Sequence, residues 1–367
     1  PVLCKVQRRE FVVHSLSDLT DALISAAKKA GADTADALAV DGTSVSIDVR
    51  DGQLEQAERS EGIDLGLRVM IGHRQACVSA SDIRLETIST MAERAVAMAR
   101  EAPEDPSIGI ADMEQLAIGW DAEALELADS AEEPAAADLE SDAREAEQAA
   151  LGVSGISQVQ TATAGYGRHQ IHLAASNGFS GGYARTSRAI SCVAITGDGT
   201  NMERDYASEG RVFQSDLPAA EDVGLLAAER TIARAGARKP KTGAFPVLYD
   251  QRVASSLIGH LLSATNGGAI VRGSSWARDL LGKEVLPAGL SVLENPHRRR
   301  VSGLRPFDAE GLPTTPRAIV EDGVLLGWTL DLGTARKLNL KSTANAARST
   351  SAPPSPSVSN VALTQGT

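Results

Sequence analysis

Aromatic residues and cysteines are scarce in this sequence, and each shortage narrows the range of functions. Five Phe, four Tyr and three Trp occur among 367 residues, too few to favour a platform of stacked rings for single-stranded nucleic acid. The three cysteines, Cys4, Cys77 and Cys192, are far apart and odd in number. This spacing argues against a disulfide framework and against a cysteine-rich zinc site. We therefore expect a reducing compartment and a core built from Ala, Val, Leu and Ile.

Long apolar runs and an excess of positive charge are also missing. No stretch approaches the roughly 18 apolar residues of a membrane span, and the first ten residues lack the apolar core of a signal peptide. The formal net charge of −12 opposes binding to DNA or to anionic membranes. The basic run at residues 297–300 is best explained as a solvated loop. These features predict a cytoplasmic protein without a membrane segment and disfavour direct nucleic acid binding.

Common catalytic and nucleotide-binding motifs are absent from the sequence. It has no GxxxxGK[ST] segment, no GxGxxG between a strand and a helix, and no GxSxG nucleophile elbow. His169 and His172 lie three apart in a predicted strand, so they face opposite sides and do not suit a shared metal. Residues 266–275 are rich in glycine, but they follow a predicted helix and indicate a helix end with a turn.

The hydrophobic patterning predicts an α+β fold with antiparallel sheets and packed helices. Helical periodicity covers residues 16–30 and 88–100, and a meander of strands lies between them, with a hairpin turn at Asp51-Gly52. Residues 122–150 are predicted to form helices broken at Pro134, with a mobile acidic linker as the alternative. Further predicted elements are strands from 156 to 193 with turns at Asn177-Gly178 and Gly181-Gly182, a helix at 219–235, a strand at 245–249 and a helix at 251–264.

The chain length favours two domains. A basic loop at residues 237–243 follows the predicted helix 219–235 and precedes a new predicted strand. We therefore predict an amino-terminal α+β domain at residues 1–237 and a carboxy-terminal α+β domain at 238–367. The first residue is Pro and not Met, which is consistent with a processed or incomplete chain.

Several short motifs, taken together and in order, resemble the TldD/PmbA peptidase family (peptidase U62), and within it the PmbA/TldE branch. In the second half these are SWARDLLG, LENP, FDAEG, two apolar runs joined by Asp322-Gly323, and the block STANAAR that ends at Arg348. In the first half, GQLE and EGIDLGLRV are similar to family segments. The block STANAAR has Ala344 where the family has Gly. Family chains continue beyond the point where this sequence stops, so we expect it to be truncated relative to them.

One helix determines what the resemblance implies for zinc. Zinc-bearing TldD members have HExxxH where this sequence reads SSLIGH, so Ser255 and Ser256 replace the first His and the Glu, and only His260 remains. Hydrolytic zinc needs three His, carboxylate or thiolate ligands. A serine hydroxyl is a poor zinc ligand and cannot serve as the general base. The resemblance therefore implies no metal site on this chain and zinc in a TldD-type partner subunit.

By resemblance, the two subunits form a metallopeptidase that acts on flexible peptides or unfolded proteins. Family members are linked to maturation of a peptide microcin, to degradation of an antitoxin and to modulation of DNA gyrase. Two other functions stay open: a metallopeptidase whose own ligands are not recognisable in the sequence, and a non-enzymatic regulator, for example a homodimer, related to gyrase modulation. Metal content distinguishes the first of these from the subunit hypothesis, and a requirement for both gene products distinguishes the second.

Five polar residues are candidates for contact with a substrate or a partner: His260, Asp308, Glu310, Asn345 and Arg348. His260 is alternatively an ordinary helix histidine held by hydrogen bonds. Asp308 and Glu310 lie two apart, so on a strand they would form a carboxylate pair on one face. In a loop they would instead accept backbone amides, which is the favoured interpretation. Asn345 and Arg348 belong to the block STANAAR.

Overall fold

The computed structural model describes residues 15–364 and confirms an α+β fold with antiparallel sheets. The largest sheet has six strands in the order β3-β2-β1-β4-β5-β6, all antiparallel to their neighbours. Its strands are β1 (Thr34–Arg50), β2 (Gln53–Ile71), β3 (Arg74–Ala80), β4 (Ile156–Ala175), β5 (Ser180–Thr196) and β6 (Glu203–Arg211). The predicted Asp51-Gly52 turn joins β1 and β2, with both residues at positive φ.

Four helices belong to this part of the chain: α1 (Leu16–Ala30), α2 (Leu85–Glu101), α3 (Ala136–Leu151) and α4 (Ala220–Ala233). Helix α1 begins at a Ser15 capping box with Asp18 and ends at Gly31 in the left-handed conformation. None of the helices within residues 15–364 is long and apolar enough to cross a membrane.

The helices α1 to α4 cover one face of the sheet. Alternate residues of a strand share a face, and the odd-numbered residues of β1 face these helices. Ala35, Ala37 and Ala39 lie in a core with α1 and α2, whereas Val45, Ile47 and Val49 lie in a second core with α3 and α4. Small and β-branched residues therefore build most of the core, as the shortage of aromatic residues predicts.

The second half of the chain packs against part of the opposite face. Leu38 of β1 and Leu173 of β4 lie in a hydrophobic core with Phe307. The centroid of the Phe307 ring lies 4.7 Å from that of Trp120 and 5.5 Å from that of Tyr183. Several of the few aromatic residues thus meet where the second half contacts the sheet, and such ring pairs stabilise a contact beyond the area they bury.

Short elements make up the second half. Its helices are α5 (Gln251–Ala264), α6 (Gly267–Val271) and α7 (Leu332–Leu338). A four-stranded sheet has the order β12-β7-β8-β9, formed by Val361–Leu363, Val292–Glu294, Arg317–Glu321 and Val324–Leu325; β10 (Ala346–Ala347) pairs with β11 (Ser355–Pro356). Asp322 and Gly323 turn β8 into β9 at positive φ, as predicted. The domain boundary near residue 237 stays a prediction.

Two glycine-rich segments differ from the sequence predictions. Gly181 and Gly182 lie inside β5 and not in a turn. A Cβ at Gly181 would approach the Trp120 ring to 2.5 Å, so glycine is needed there for close packing. Residues 266–275 follow the end of α5 and contain a turn, as predicted, but they also form the short helix α6. Asn266 caps this helix, since its side chain accepts a hydrogen bond from Gly268 N.

Two other predicted elements are absent from the described structure. Residues 122–135 form turns without an α-helix. Asp121 caps a single turn by accepting a hydrogen bond from Ala124 N, and this turn ends at Glu126, which has a positive φ. Asp129 then accepts a hydrogen bond from Ala131 N in a second turn. Residues 245–249 are not a strand: no strand within residues 15–364 pairs with them, and Leu248 is 98% exposed. An apolar run needs a pairing partner as well as its pattern to form a strand.

Ala344 occupies a backbone conformation that favours glycine. Its φ is +54°, which costs a residue with a Cβ about 1–2 kcal/mol. We expect Ala344→Gly to raise the free energy of unfolding by about 0.5–1 kcal/mol. Relief of backbone strain in the folded protein should stabilise it by more than the greater conformational entropy of the unfolded chain destabilises it. Urea denaturation measures the change. The matched control is Ala346→Gly in β10, which should lower stability; a loss of stability in both variants would contradict the assignment.

Candidate functional site

Helix α5 carries the residues that replace the zinc motif. Asp250 caps its first turn by accepting a hydrogen bond from Arg252 N. Ser255, Ser256 and His260 are all exposed. The Ser256 hydroxyl donates to the Val253 carbonyl of the same helix. The alternative for His260, an ordinary helix histidine held by hydrogen bonds, lacks support, because the His260 ring forms no hydrogen bond with any residue in the range 15–364.

The donor set on α5 does not fit a zinc ion. Two neutral hydroxyls and one imidazole do not supply the three ligands that hydrolytic zinc needs. Across the described part of the chain, no three His, Cys, Asp or Glu side chains are grouped so that they could hold a metal. The residues of α5 therefore do not form a catalytic zinc site by themselves, and the metal content of the chain stays a prediction.

Asp308 and Glu310 lie in a buried turn, where they bind backbone amides. Asp308 accepts hydrogen bonds from the backbone N of Glu310 (2.9 Å), Leu312 (3.0 Å) and Ala346 (3.1 Å). Glu310 accepts one from Leu332 N at 2.8 Å. These contacts agree with the interpretation of the pair as loop carboxylates that cap backbone amides. Their contact with a substrate or partner stays a prediction.

The environment of the two carboxyls shifts their protonation. Burial raises the pKa of both groups, and the negative charge of Asp308 raises the pKa of Glu310 further. The backbone amides on Asp308 and the positive charge of Arg68 near Glu310 act in the opposite direction. Burial outweighs these opposing effects at both carboxyls, so each binds its proton to a higher pH than an exposed carboxyl does.

Arg348 belongs to a buried ionic triad that joins the second half of the chain to the large sheet. Asp36 of β1 faces Arg68 of β2 directly across the strands, and Arg68 Nε lies 2.7 Å from Asp36 Oδ2. Arg348 Nη1 pairs with the other carboxylate oxygen of Asp36. Burial by itself would raise the pKa of Asp36, but the two guanidinium groups outweigh it and hold the pKa below its usual value. The triad places two cations around one carboxylate.

Asn345 is fixed by a second buried cluster. Its Nδ2 donates to Glu294 Oε1 at 2.8 Å, and Arg317 Nε lies 2.8 Å from Glu294 Oε2. The backbone of Ser359 also donates to Glu294. Through Glu294, Asn345 thereby ties the block STANAAR to β7 and β8.

A cavity of about 390 Å³ lies between the sheet and this block. Its apolar wall comes from β1 and β4 and from aromatic residues, and its polar wall contains arginines. The lining includes Leu38, Val40, Ile171, Leu173, Tyr183 and Phe307 on the apolar side, and Asp64, Arg185, Arg305, Asp308 and Arg348 on the polar side. The structure thus brings Asp308 and Arg348 to one cavity, whereas His260 lies on α5, outside the cavity lining.

Gly66 of β2 allows the segment after Arg348 to approach the sheet. A Cβ at this position would lie 2.3 Å from the carbonyl oxygen of Thr350. We expect Gly66→Ala to lower the free energy of unfolding by about 1–3 kcal/mol, because the backbone at Thr350 must shift. Chemical denaturation measures the loss. Gly62→Ala on the same strand, where nothing lies within 4 Å of the added Cβ, is the matched control; equal effects of the two substitutions would refute the close approach.

The candidate site residues predicted from the sequence do not include four charged residues near the cavity: Asp36, Arg68, Arg185 and Arg305. Asp36 lies among alanines in β1, and Arg68 interrupts the run Leu65–Met70, whose other members are apolar or Gly. A charge inside an apolar strand needs a buried partner, so these two positions carry a detectable signal. Arg185 and Arg305 carry none, because their shared cavity depends on the tertiary fold.

Family models match three parts of the chain, and curated relatives align over most of it. The models describe PmbA/TldA metallopeptidase domain 1 (residues 35–99), the central domain (123–235) and the C-terminal domain (242–367). "Metalloprotease PmbA" of Escherichia coli O157:H7 is 37% identical over 309 residues, which are 83% of this chain and 67% of that protein. The Haemophilus influenzae homologue is 32% identical over 358 residues, or 94% of this chain and 74% of that protein.

Solved structures share the fold. TldE from Thermococcus kodakarensis superposes with a TM-score of 0.79 at 16% identity, covering 95% of this chain and 78% of that one. A Bacteroides thetaiotaomicron protein named for modulation of DNA gyrase gives 0.85 at 24% identity, with 95% and 77% covered. The fold, the matched domains and the sequence identity to these relatives agree with the order of motifs along the sequence, and the chain belongs to the PmbA/TldD metallopeptidase family.

Proposed function

We propose that this chain is the zinc-free subunit of a two-subunit metallopeptidase whose TldD-type partner holds the zinc. The observation that carries the proposal is the donor set on α5, where Ser255 and Ser256 stand at the positions of a ligand and of the general base. The likeness to a TldE structure supports the same assignment. This subunit helps to enclose a flexible peptide or an unfolded segment, and the partner cleaves it.

The surface of α5 is suited to a contact between subunits. Val253 is 50% exposed and Leu257 is 47% exposed, four residues apart on the helix that also presents Ser256. Residues spaced by four share a helix face. An exposed apolar stripe on a helix favours burial against another surface. In the proposed complex, this face lies beside the partner's zinc helix and helps to position it.

Zinc content and peptidase activity, measured for the purified chain alone and mixed with a TldD-type partner, test the proposal. We expect no stoichiometric zinc and no activity for the chain alone, and hydrolysis of an unfolded protein substrate only in the mixture. A partner with its own HExxxH ligands substituted serves as the control and should abolish activity. About one zinc per chain together with activity alone would overturn the proposal in favour of an independent metallopeptidase. No activity in the mixture would overturn it in favour of a regulator.

A further inference from the structure

Three arginines, Arg185, Arg305 and Arg348, line the cavity between the sheet and the block STANAAR, whereas its lining contains only two carboxyl groups, Asp64 and Asp308. Within residues 15–364, neither Arg185 nor Arg305 forms a salt bridge. Arg185 donates to the carbonyls of Ser302 and Leu304. Carbonyl oxygens orient a guanidinium group but carry no negative charge to balance it.

Arg305 is held in the same way. It donates to the carbonyl oxygens of Ala346 at 3.2 Å and Ser357 at 2.5 Å. Burial lowers its pKa, and the nearby Glu294 and Asp308 carboxylates only partly oppose this effect. The carboxylate oxygens of Asp308 already accept three backbone amides, and those of Glu294 bind Asn345 and Arg317. Neither carboxylate is therefore committed to Arg305.

Arg348 adds to the imbalance, because it shares the single carboxylate of Asp36 with Arg68. Each of the three cavity arginines also retains a buried nitrogen without a hydrogen-bond partner in the described structure: Nε of Arg185, Nε of Arg305 and Nη2 of Arg348. Unsatisfied charged donors are costly when buried. An anion in the cavity would supply the missing negative charge.

The opposite wall shows what kind of group accompanies the anion. Leu38, Val40, Ile171 and Leu173 present aliphatic side chains from β1 and β4. The volume of about 390 Å³ lies within the range of small-ligand sites. It accommodates a carboxylate together with one or two attached residues. Arginine suits a planar carboxylate because its donors are arranged as a fork.

We propose that this cavity binds the C-terminal carboxylate of a peptide whose last side chain is apolar. The carboxylate lies against Arg185, Arg305 and Arg348, and the side chain lies against the aliphatic wall. The identity of the ligand as a peptide rests on the proposed function, whereas recognition of an apolar carboxylate rests on the cavity itself. The site binds and orients its ligand, and no bond is made or broken there.

Isothermal titration of the purified chain with acetyl-Ala-Leu tests the proposal, with the dipeptide as the free acid and as the C-terminal amide. We expect the acid to bind at least about tenfold more tightly than the amide, since charge-assisted hydrogen bonds are lost with the carboxylate. Acetyl-Ala-Ser acid and sodium acetate should both bind more weakly than acetyl-Ala-Leu acid. Equal affinity of the acid and the amide overturns the proposal, and so does equal affinity of acetate and the peptide acid.

Two arginine variants localise the site. Arg185→Gln should weaken binding of acetyl-Ala-Leu acid at least about tenfold, whereas Arg168→Gln, an exposed arginine of β4 outside the cavity lining, should leave it unchanged. Thermal unfolding of both variants shows whether they fold. If Arg185→Gln does not fold, the acid–amide comparison on the unchanged chain decides the proposal. These titrations need neither zinc nor the partner, so failure of the two-subunit peptidase and failure of this site give separate results.

Discussion

Replacing Asp36 by Asn should destabilise the protein by about 3–5 kcal/mol, the range for removing one partner of a buried ion pair. The substitution keeps the size of the side chain but leaves Arg68 and Arg348 in the protein interior without a carboxylate. The side chain of Asp36 is 4% exposed and that of Arg348 is 1% exposed, so water cannot replace the lost charge. Urea denaturation at neutral pH measures the loss.

The matched control for this prediction is Asp41→Asn, the same substitution on the same strand at a half-buried position without an ion pair in the described structure. It should change the free energy of unfolding by less than about 0.5 kcal/mol. A double-mutant cycle between Asp36→Asn and Arg348→Gln should show strong coupling. Additive effects would show that Arg348 and Asp36 do not interact in the folded protein, and would therefore contradict the prediction.

The sequence predicted the elements whose signals are local. The helix Leu16–Ala30 has a cap, an apolar stripe and a terminal glycine within one segment, and the structure has the predicted bounds. The hairpin turns at Asp51-Gly52 and Asp322-Gly323 need only two residues that tolerate positive φ. These features are set by neighbouring residues, so a single sequence is sufficient to find them.

The sequence could not predict the features that depend on distant contacts. Asp36 and Arg348 are 312 residues apart in the chain, and no local pattern connects them. Residues 245–249 have the pattern of a strand but no pairing partner within the described residues, and Gly181-Gly182 has the composition of a turn but packs against Trp120. The cavity has the same origin, because Arg185 and Arg305 come from different parts of the chain and reach it only through the tertiary fold.

The candidate site was therefore only partly visible in the sequence. The block STANAAR identified Asn345 and Arg348, and FDAEG identified Asp308 and Glu310, but the partners that fix these side chains were not identified. The structure shows that Asn345 and Glu310 are bound mainly to other parts of the same chain. Several of these motif residues thus shape the backbone around the cavity, and the arginines beside them carry its charge.

The pH dependence of stability should depend on Glu310. Burial and the neighbouring Asp308 and Asp331 carboxylates raise its pKa, and Arg68 and the Leu332 amide only partly oppose them. A carboxyl with a raised pKa in the folded state binds its proton at pH values where the unfolded chain has released it. The associated stability is therefore fully present below the pKa of an ordinary glutamate, and it is lost as the pH rises through the folded pKa.

Glu310→Gln removes this titration but keeps an oxygen that can accept the Leu332 amide. Between roughly pH 5 and pH 9 we expect the free energy of unfolding of the unchanged chain to fall relative to that of Glu310→Gln, by up to about 1.4 kcal/mol per pH unit where the group titrates. The variant should be the more stable protein at alkaline pH. Urea denaturation at a series of pH values measures both curves.

Glu321→Gln, at an exposed carboxyl of β8, is the matched control, and its curve should run parallel to that of the unchanged chain. Asp308 remains in the Glu310→Gln variant, so a smaller pH dependence from that buried carboxyl should persist. Parallel curves for Glu310→Gln and the unchanged chain would show that Glu310 has the pKa of an ordinary glutamate in the folded protein. In that case Glu310 would be ionised at neutral pH, and both Glu310 and Asp36 would neutralise Arg68. Asp36 would then neutralise more of the charge of Arg348, so an external anion would stabilise Arg348 less.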